Sequence, residues 1–395
     1  MRPLPDMALA ARSALGAMAP LVAPITAVSV LGLALSMSLP LFALVLEREG
    51  YSGTVIGLNS MAAPLAMVVS APLMPRLLAM IGLVPLTLAA TALLALTFAL
   101  IPAVEGLLAW TVLRMAWGVA STALFFSGEF WVVAAAPSTS RGRAIAVYAI
   151  ALSAAFMIGP IILLATGTEG ALPFLVAAGI SMAALPILAA GSTGAPNPDP
   201  EGQPKIADTL RFFVSDPALL WAIVLFGVIE YGALSLMAVW GVRVGMTADT
   251  AAVLLALFAA GAIVLQLPLG WAADRFEPRG LLALCAATSV LCPLLLVAAA
   301  PSFAAGTGPM VLWGAFGAGL YTIALTALGN RYSGARLADA NAAVTLAYGL
   351  GALTAPGLFG LAMDNVAPPH GLLYASSFAA IFYLGLTLWR MATRG

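Results

Sequence analysis

Residues 218–241 read ALLWAIVLFGVIEYGALSLMAVWG, twenty-four residues with one charged side chain, Glu230. A helix needs about 20 apolar residues to cross the hydrocarbon core of a bilayer, because its backbone polar groups must there be bonded within their own segment. The rest of the chain has the same character. Of its 395 residues 63% are hydrophobic and 8% are charged, against about 45–50% and about 25% in soluble domains. The sequence therefore predicts an integral membrane protein.

Eleven further stretches resemble this one in length and hydropathy, so the chain is predicted to cross the membrane twelve times. The first span is too long for the core of a signal peptide, and we expect it to be retained. The predicted spans lie near residues 21–46, 53–73, 83–103, 107–133, 144–165, 171–190, 218–241, 250–272, 281–300, 308–329, 340–363 and 372–391.

The basic residues predict the orientation, because short cytoplasmic loops carry the excess of Lys and Arg. With both termini in the cytoplasm, thirteen basic residues lie on that side and two on the other, whereas Arg114 lies within the fourth span. The composition, rich in Ala, Gly and Arg with one Lys, indicates a bacterial plasma (inner) membrane. The thirteen are Arg2, Arg12, Arg76, Arg141, Arg143, Lys205, Arg211, Arg275, Arg279, Arg331, Arg336, Arg390 and Arg394, and the two are Arg48 and Arg243.

One polar, proline-rich stretch divides the twelve spans into two groups of six. Its composition is typical of a linker. We therefore expect an N-terminal six-helix bundle over residues 1–190, a cytoplasmic linker over 191–215 and a C-terminal six-helix bundle over 216–395.

The two groups of spans resemble copies of each other. Gly118 and Gly314 are 196 residues apart, and so are Pro160 and Pro356, and a tryptophan precedes each of these glycines. Arg48 and Arg243 are 195 apart. Two parallel repeats predict two bundles related by a pseudo-two-fold axis along the membrane normal, with a binding site between them near the midplane.

The loop after the eighth span reads GWAADRFEPR, from Gly270 to Arg279. It resembles the loop motif of the major facilitator superfamily, which is Gly, three residues, Asp-Arg, one residue and Gly-Arg-Arg. Glu277 and Pro278 depart from that pattern, and the N-terminal copy keeps only Arg76 followed by Gly82. The resemblance implies an all-α membrane fold of twelve helices that works by alternating access.

Two further elements carry the resemblance. Residues 114–118, RMAWG, resemble the fourth-span pattern of Arg, two residues and Gln-Gly, with Trp117 in place of Gln. Gly159-Pro160 and Ala355-Pro356 are similar to the Gly-Pro element of the family's exporters. In the family, spans one, four, seven and ten line the central cavity, which implies that Arg114 and Glu230 face each other across it.

Charged residues within spans need a partner or a water-filled cavity, because a charge at the bilayer centre costs about 2.5–3.5 kcal/mol on insertion scales. Glu230 lies near the middle of its span, and Arg114 lies about 10 Å along its helix from the outer end. We expect Glu230 to exchange a proton under the influence of Arg114. Two alternatives stay open: Arg114 receives a substrate anion, or both groups are held by packing hydrogen bonds and never titrate.

The resemblance also implies a cytoplasmic gate and a central cavity. We expect Glu129 to form a salt bridge with an arginine such as Arg76, Arg141 or Arg143, and Arg279 is equally explained as a membrane anchor. The cavity residues suit an amphipathic or apolar substrate, although aromatic residues in spans also face lipid or pack. The expected gate residues are Arg76, Glu129, Asp274, Arg275 and Arg279, and the expected cavity residues are Trp117, Ser121, Phe125, Tyr231, Trp313, Tyr321, Asn59 and Gln266.

Other function classes lack their motifs. A phosphate loop needs Gly-Lys-Ser/Thr, but Lys205 follows a proline, and a metalloenzyme needs clustered ligands, whereas the chain has one histidine. We expect no enzyme activity, catalytic residue, cofactor or metal, and no nucleic-acid partner.

The favoured function is proton-coupled secondary transport of a small organic solute, leaning to efflux by antiport, by a monomer in the bilayer. The alternatives are an uptake symporter or facilitator for a sugar or organic acid, and a transport-inactive sensor or assembly protein.

Overall fold

The computed structural model describes residues 21–135, 141–191, 206–273, 275–332 and 334–394. They form a bundle of α-helices. Short 3-10 turns at Ala71–Leu73 and Ile101–Ala103 extend two of them. The helices are α1 Val22–Arg48, α2 Gly53–Ser70, α3 Met74–Ile81, α4 Leu83–Leu100, α5 Leu107–Ala135, α6 Arg141–Thr166, α7 Leu172–Ala190, α8 Ile206–Ser215, α9 Pro217–Arg243, α10 Ala248–Val264, α11 Gln266–Ala273, α12 Pro278–Ala299, α13 Phe303–Arg331, α14 Gly334–Asn365 and α15 Gly371–Arg394.

The predicted all-α membrane architecture is confirmed. Within the described ranges, ten helices are long and apolar enough to cross a membrane, and two shorter apolar helices, Ile150–Thr166 and Ala248–Val264, accompany them. The eighth predicted span is broken at Leu265, which separates α10 from α11. Large apolar side chains such as Leu108 and Phe378 are more than two-thirds exposed, as expected for surfaces that contact lipid.

Within the predicted linker over residues 191–215, the last ten residues form helix α8. The ring of Phe212 is buried and lies 5.2 Å from that of Tyr332. Next to it, Asp216 accepts hydrogen bonds from Arg331 and from the Tyr332 hydroxyl. This contact with the Asp216 carboxylate raises the pKa of Tyr332. Phe212 and Asp216 therefore attach this short helix to the end of α13.

The packing within each group of spans repeats, as the sequence offset predicts. A Cβ atom at Gly118 would lie 2.4 Å from the carbonyl oxygen of Ala63, so α5 touches the backbone of α2. A Cβ atom at Gly314 would lie 1.9 Å from the carbonyl oxygen of Phe258, so α13 touches α10 in the same way. The equivalent glycines therefore make equivalent helix crossings, which small residues permit.

The two groups of spans meet along α2 and α14. We call the end of the bundle where α7 ends the linker face, and the end where α1 and α9 end the far face. A Cβ atom at Gly57 would lie 2.1 Å from the carbonyl oxygen of Pro356, and one at Gly360 would lie 2.0 Å from that of Gly53. This α2–α14 seam brings the two backbones into contact near the far face.

The glycine crossings predict different effects for one substitution at two positions of α13. Gly314→Ala forces α13 away from α10 and should lower stability by about 1–3 kcal/mol, as overpacking does. Gly308→Ala meets nothing within 4 Å and should be neutral or stabilising, because alanine favours the helix. Thermal unfolding of the purified variants in detergent measures both. Equal midpoints for the two variants would contradict the assigned crossing.

Candidate functional site

Glu230 lies in the middle of α9, the first of the second six spans. Its Oε2 atom accepts a hydrogen bond from the hydroxyl of Tyr348 on α14, at 2.8 Å. The two helices can approach closely because residue 227 is glycine. A Cβ atom at this position would lie 2.5 Å from the carbonyl oxygen of Tyr348. The sequence predicts the position of Glu230 near the middle of its helix, but not that Tyr348 is its hydrogen-bond donor.

Aromatic rings surround this carboxylate. The ring of Phe226, one turn before Glu230, lies 5.3 Å from that of Tyr321 and 5.7 Å from that of Tyr348. Three helices, α9, α13 and α14, therefore form an aromatic wall around one acidic group.

Arg114 lies in α5 and is 1% exposed. Its Nη1 atom donates to Oδ1 of Asn59 on α2, at 3.2 Å, and its guanidinium lies 4.7 Å above the centre of the Phe42 ring. The amide nitrogen of Asn59 donates to the hydroxyl of Thr111 at 2.8 Å. This second bond orients the Asn59 oxygen toward Arg114, so the buried cation is hydrogen-bonded by a neutral group.

Arg114 and Glu230 have separate hydrogen-bond partners, Asn59 and Tyr348. The residue of the second half that lies near the Arg114 guanidinium is Tyr231. Among the described residues, Arg114 and Glu230 form no ion pair. The expected influence of Arg114 on Glu230 is therefore not a direct contact in this conformation.

The remaining cavity candidates have different surroundings. Trp117 and Ser121 are buried on the same side of α5 as Arg114, and Phe125 is half-buried further along. Trp313 packs with its ring 5.4 Å from Phe258, at the crossing of α13 and α10. Gln266 is exposed, and its Nε2 atom lies 3.4 Å from the Thr322 hydroxyl. Asn59, Tyr231 and Tyr321 lie beside the two charges, whereas Trp313 and Gln266 make contacts within the second half.

The expected gate at the linker face is not assembled by the side chains that the structure describes. Arg275 lies over the Trp271 ring at 4.1 Å, and Arg279 lies 3.8 Å from Glu277. These contacts stay within one loop. Asp274 and the side chains of Arg141 and Arg143 lie outside the described residues. The described side chains of Arg76 and Glu129 are exposed and form no ion pair with each other in this conformation, so the expected salt bridge of Glu129 stays a prediction.

The far face holds a cluster of charges that the sequence analysis did not predict. Arg243 at the end of α9 binds both carboxylate oxygens of Glu47 on α1, each at 2.8 Å, and Asp364 on α14 at 2.9 Å. Asp364 also accepts hydrogen bonds from the backbone nitrogens of Gly53 and Thr54, at 2.9 and 2.6 Å, and from the Thr54 hydroxyl. This far-face cluster, Glu47, Thr54, Arg243 and Asp364, ties the two groups of spans together.

Comparison with known families and relatives agrees with the resemblance of the loop motif. The sequence profile of the Major Facilitator Superfamily matches residues 24–254 and 241–394. A relative described as an uncharacterized MFS-type transporter, YfkF of Bacillus subtilis (strain 168), is 26% identical over 269 residues, which cover 67% of this chain and 68% of the relative.

Solved structures share the fold. The nucleoside transporter NupG aligns with a TM-score of 0.76 at 11% identity, over 93% of this chain and 99% of that chain. The D-xylose-proton symporter aligns with a TM-score of 0.74 at 13% identity, over 93% and 96%. A bacterial homolog of the human lysosomal transporter Spinster, in an inward-facing and unoccupied conformation, aligns with a TM-score of 0.72 at 14% identity, over 93% of each chain.

The far-face cluster predicts that removing one charge opens this end of the bundle. In Asp364→Asn the charge-assisted hydrogen bonds, worth about 1.5–3 kcal/mol, are weakened, so the population with the far face open should rise about tenfold or more. Double electron–electron resonance between spin labels at Glu105→Cys and Ala304→Cys, both exposed at the far face, measures the separation. The buried Cys285 and Cys292 are replaced by alanine.

Asp249→Asn provides the control for that measurement. Asp249 is an exposed carboxylate of the far face outside the cluster, so its loss should leave the distance distribution unchanged. A distribution in Asp364→Asn that coincides with that of the control would contradict the assigned role.

Proposed function

Since the chain belongs to the Major Facilitator Superfamily, a family of membrane transporters and not of enzymes, we propose that it is a proton-coupled secondary transporter of a small organic solute. It is a multi-pass membrane protein with a small-molecule substrate. The coupling, the direction and the substrate are the proposed part. The proposal includes twelve spans in two bundles, residues 1–190 and 216–395, with both termini cytoplasmic.

Glu230 carries the proposed coupling. It is a carboxylate in the middle of a membrane-length helix, its described hydrogen bond comes from the neutral hydroxyl of Tyr348, and no basic group of the described chain pairs with it. A charge at that depth is costly, and an acid can lose its charge by taking up a proton. Glu230 can therefore take up a proton from one side of the membrane and release it to the other.

The charged clusters at the two ends support alternating access. At the far face, Arg243 and Asp364 hold the halves together, whereas the described gate residues of the linker face make contacts within one loop. We propose that this conformation is open toward the linker face and that the linker face is cytoplasmic, in agreement with the distribution of arginines. Opening the far face then requires breaking the far-face cluster while the gate at Arg76, Glu129, Asp274, Arg275 and Arg279 closes.

We propose efflux by proton antiport as the direction. Gly159-Pro160 lies at the crossing of α6 and α1, where a Cβ atom at Gly159 would lie 1.9 Å from the Ser36 Oγ atom. This close packing supports the resemblance to the Gly-Pro element of exporters. In the cycle, Glu230 takes up a proton at the far face and releases it to the cytoplasm, while the solute moves the other way. The second candidate is uptake by symport, which uses the same carboxylate with both movements inward.

The proton-coupling role predicts the outcome of one assay. Everted membrane vesicles receive an imposed inside-acid pH gradient, followed by a panel of lipophilic cations, drugs, sugars and organic acids. An antiported compound should dissipate the gradient with wild-type protein and leave it intact with Glu230→Gln. Glu105→Gln is the matched control, because it removes an exposed carboxylate at the far face and should behave as wild type.

Other outcomes of the assay separate the alternatives. Added acidification of the vesicles would favour proton symport over antiport. A compound that dissipates the gradient equally with wild type and with Glu230→Gln would contradict the role of Glu230. A complete lack of response across the panel would contradict proton antiport of these classes.

A further inference from the structure

The charge of Arg114 is buried without a negative counter-ion. Its described partners are the Asn59 amide oxygen and the face of the Phe42 ring. Both stabilise a cation, yet neither neutralises it. Among the described residues no carboxylate lies within ion-pair distance of Arg114, and Glu230 is engaged by Tyr348 on another helix. A buried charge without a counter-ion destabilises the fold, so its presence indicates a functional role.

Unpartnered hydrogen-bond donors accompany this charge on α5. The Nε atom of Arg114, the indole nitrogen of Trp117 and the hydroxyl of Ser121 are buried and have no partner among the described residues. Positions 114, 117 and 121 lie on one side of the helix, because they are separated by about one and two turns. A guanidinium and an indole N–H donate and cannot accept. Their missing partner is therefore a hydrogen-bond acceptor.

The opposite half contributes further donors. The hydroxyls of Tyr231 and Ser235, one turn apart on α9, are buried and without a partner in the described chain, and the Tyr231 hydroxyl is within electrostatic range of Arg114. Tyr231 therefore adds a donor from the second half near the positive charge of Arg114. Burial makes such unsatisfied groups costly, and an anion bound at Arg114 would satisfy several of them at once.

We propose that Arg114 and Tyr231 bind the carboxylate of an organic anion, which makes the substrate a small organic acid with an apolar body. The inference rests on the proposed transport function and names its substrate class. The aromatic wall of Phe226, Tyr321 and Tyr348 offers rings for the apolar body. Export of such an anion carries negative charge outward, and import of a proton carries positive charge inward. The inside-negative membrane potential therefore drives both movements.

Ligand binding to the purified full-length protein tests this proposal without a proton gradient. The protein is reconstituted in nanodiscs of zwitterionic lipid, and its unfolding midpoint is measured while benzoate, benzamide or benzylammonium is added. Naphthyl and indolyl acids, amides and amines extend the series to larger rings. Acids should raise the midpoint, whereas the isosteric amides and the amines should not.

Variants assign the effect to Arg114. Arg114→Gln should weaken binding of the acids at least about tenfold, and Arg114→Lys should weaken it less because the charge is kept but the planar fork is lost. Arg336→Gln, which removes an exposed arginine, should bind as wild type. Without ligand, Arg114→Gln should unfold at the wild-type temperature or above it, because an uncompensated buried charge has been removed.

Several results would overturn the proposal. They are binding of amides or amines as strong as that of the acids, no shift with any acid, or unchanged acid binding in Arg114→Gln. The two assays separate this proposal from the proposed function. If acids raise the midpoint of wild-type protein but no compound dissipates the pH gradient in vesicles, the coupling is wrong and the substrate class stands, whereas dissipation by non-acidic compounds alone overturns the substrate class and keeps the coupling.

Discussion

Asp364 is the carboxylate that joins the two halves at the far face. It accepts hydrogen bonds from the start of α2 in the first half and binds Arg243 in its own half, and Arg243 in turn reaches Glu47 on α1. Charge-assisted hydrogen bonds are stronger than neutral ones, so these contacts hold the halves together at that face. Under the proposed function, the far face is therefore the closed end of the transporter.

The scaffold is symmetric whereas the chemistry is not. Gly118 and Gly314 make equivalent crossings 196 residues apart, but the residue equivalent to Arg114 is Met310 and the one equivalent to Asp364 is Thr168. Thr168 nevertheless holds Arg48, as Asp364 holds Arg243. The two copies therefore share the backbone packing and the terminal arginine, whereas Arg114 and Asp364 each occur in one copy only. Under the proposed function, this asymmetry assigns the solute to one half and the proton to the other.

The all-helical membrane architecture, the repeated glycine crossings and the superfamily could be predicted from the sequence, because they depend on composition, on motifs and on spacing along the chain. Tyr348 and the Arg243–Asp364 pair could not be predicted, since they depend on which residues of distant helices share a level in the bundle. Glu47 and Asp364 lie at helix ends, where charges are ordinary, and only contact between the halves distinguishes them. Helix α8 was missed because it follows directly on a polar, proline-rich stretch and was assigned with it to one linker.

The α2–α14 seam has a mechanical consequence. At Gly57 and Gly360 the two backbones are in direct contact, with no side chain of these residues between them. Such a contact offers little steric resistance to a rotation of one helix against the other. If the proposed alternating access pivots on this seam, a rotation of about 10° over roughly 30 Å of helix displaces the opposite end of the bundle by about 5 Å. Breaking the few short bonds of the far-face cluster would then move whole helices at the linker face.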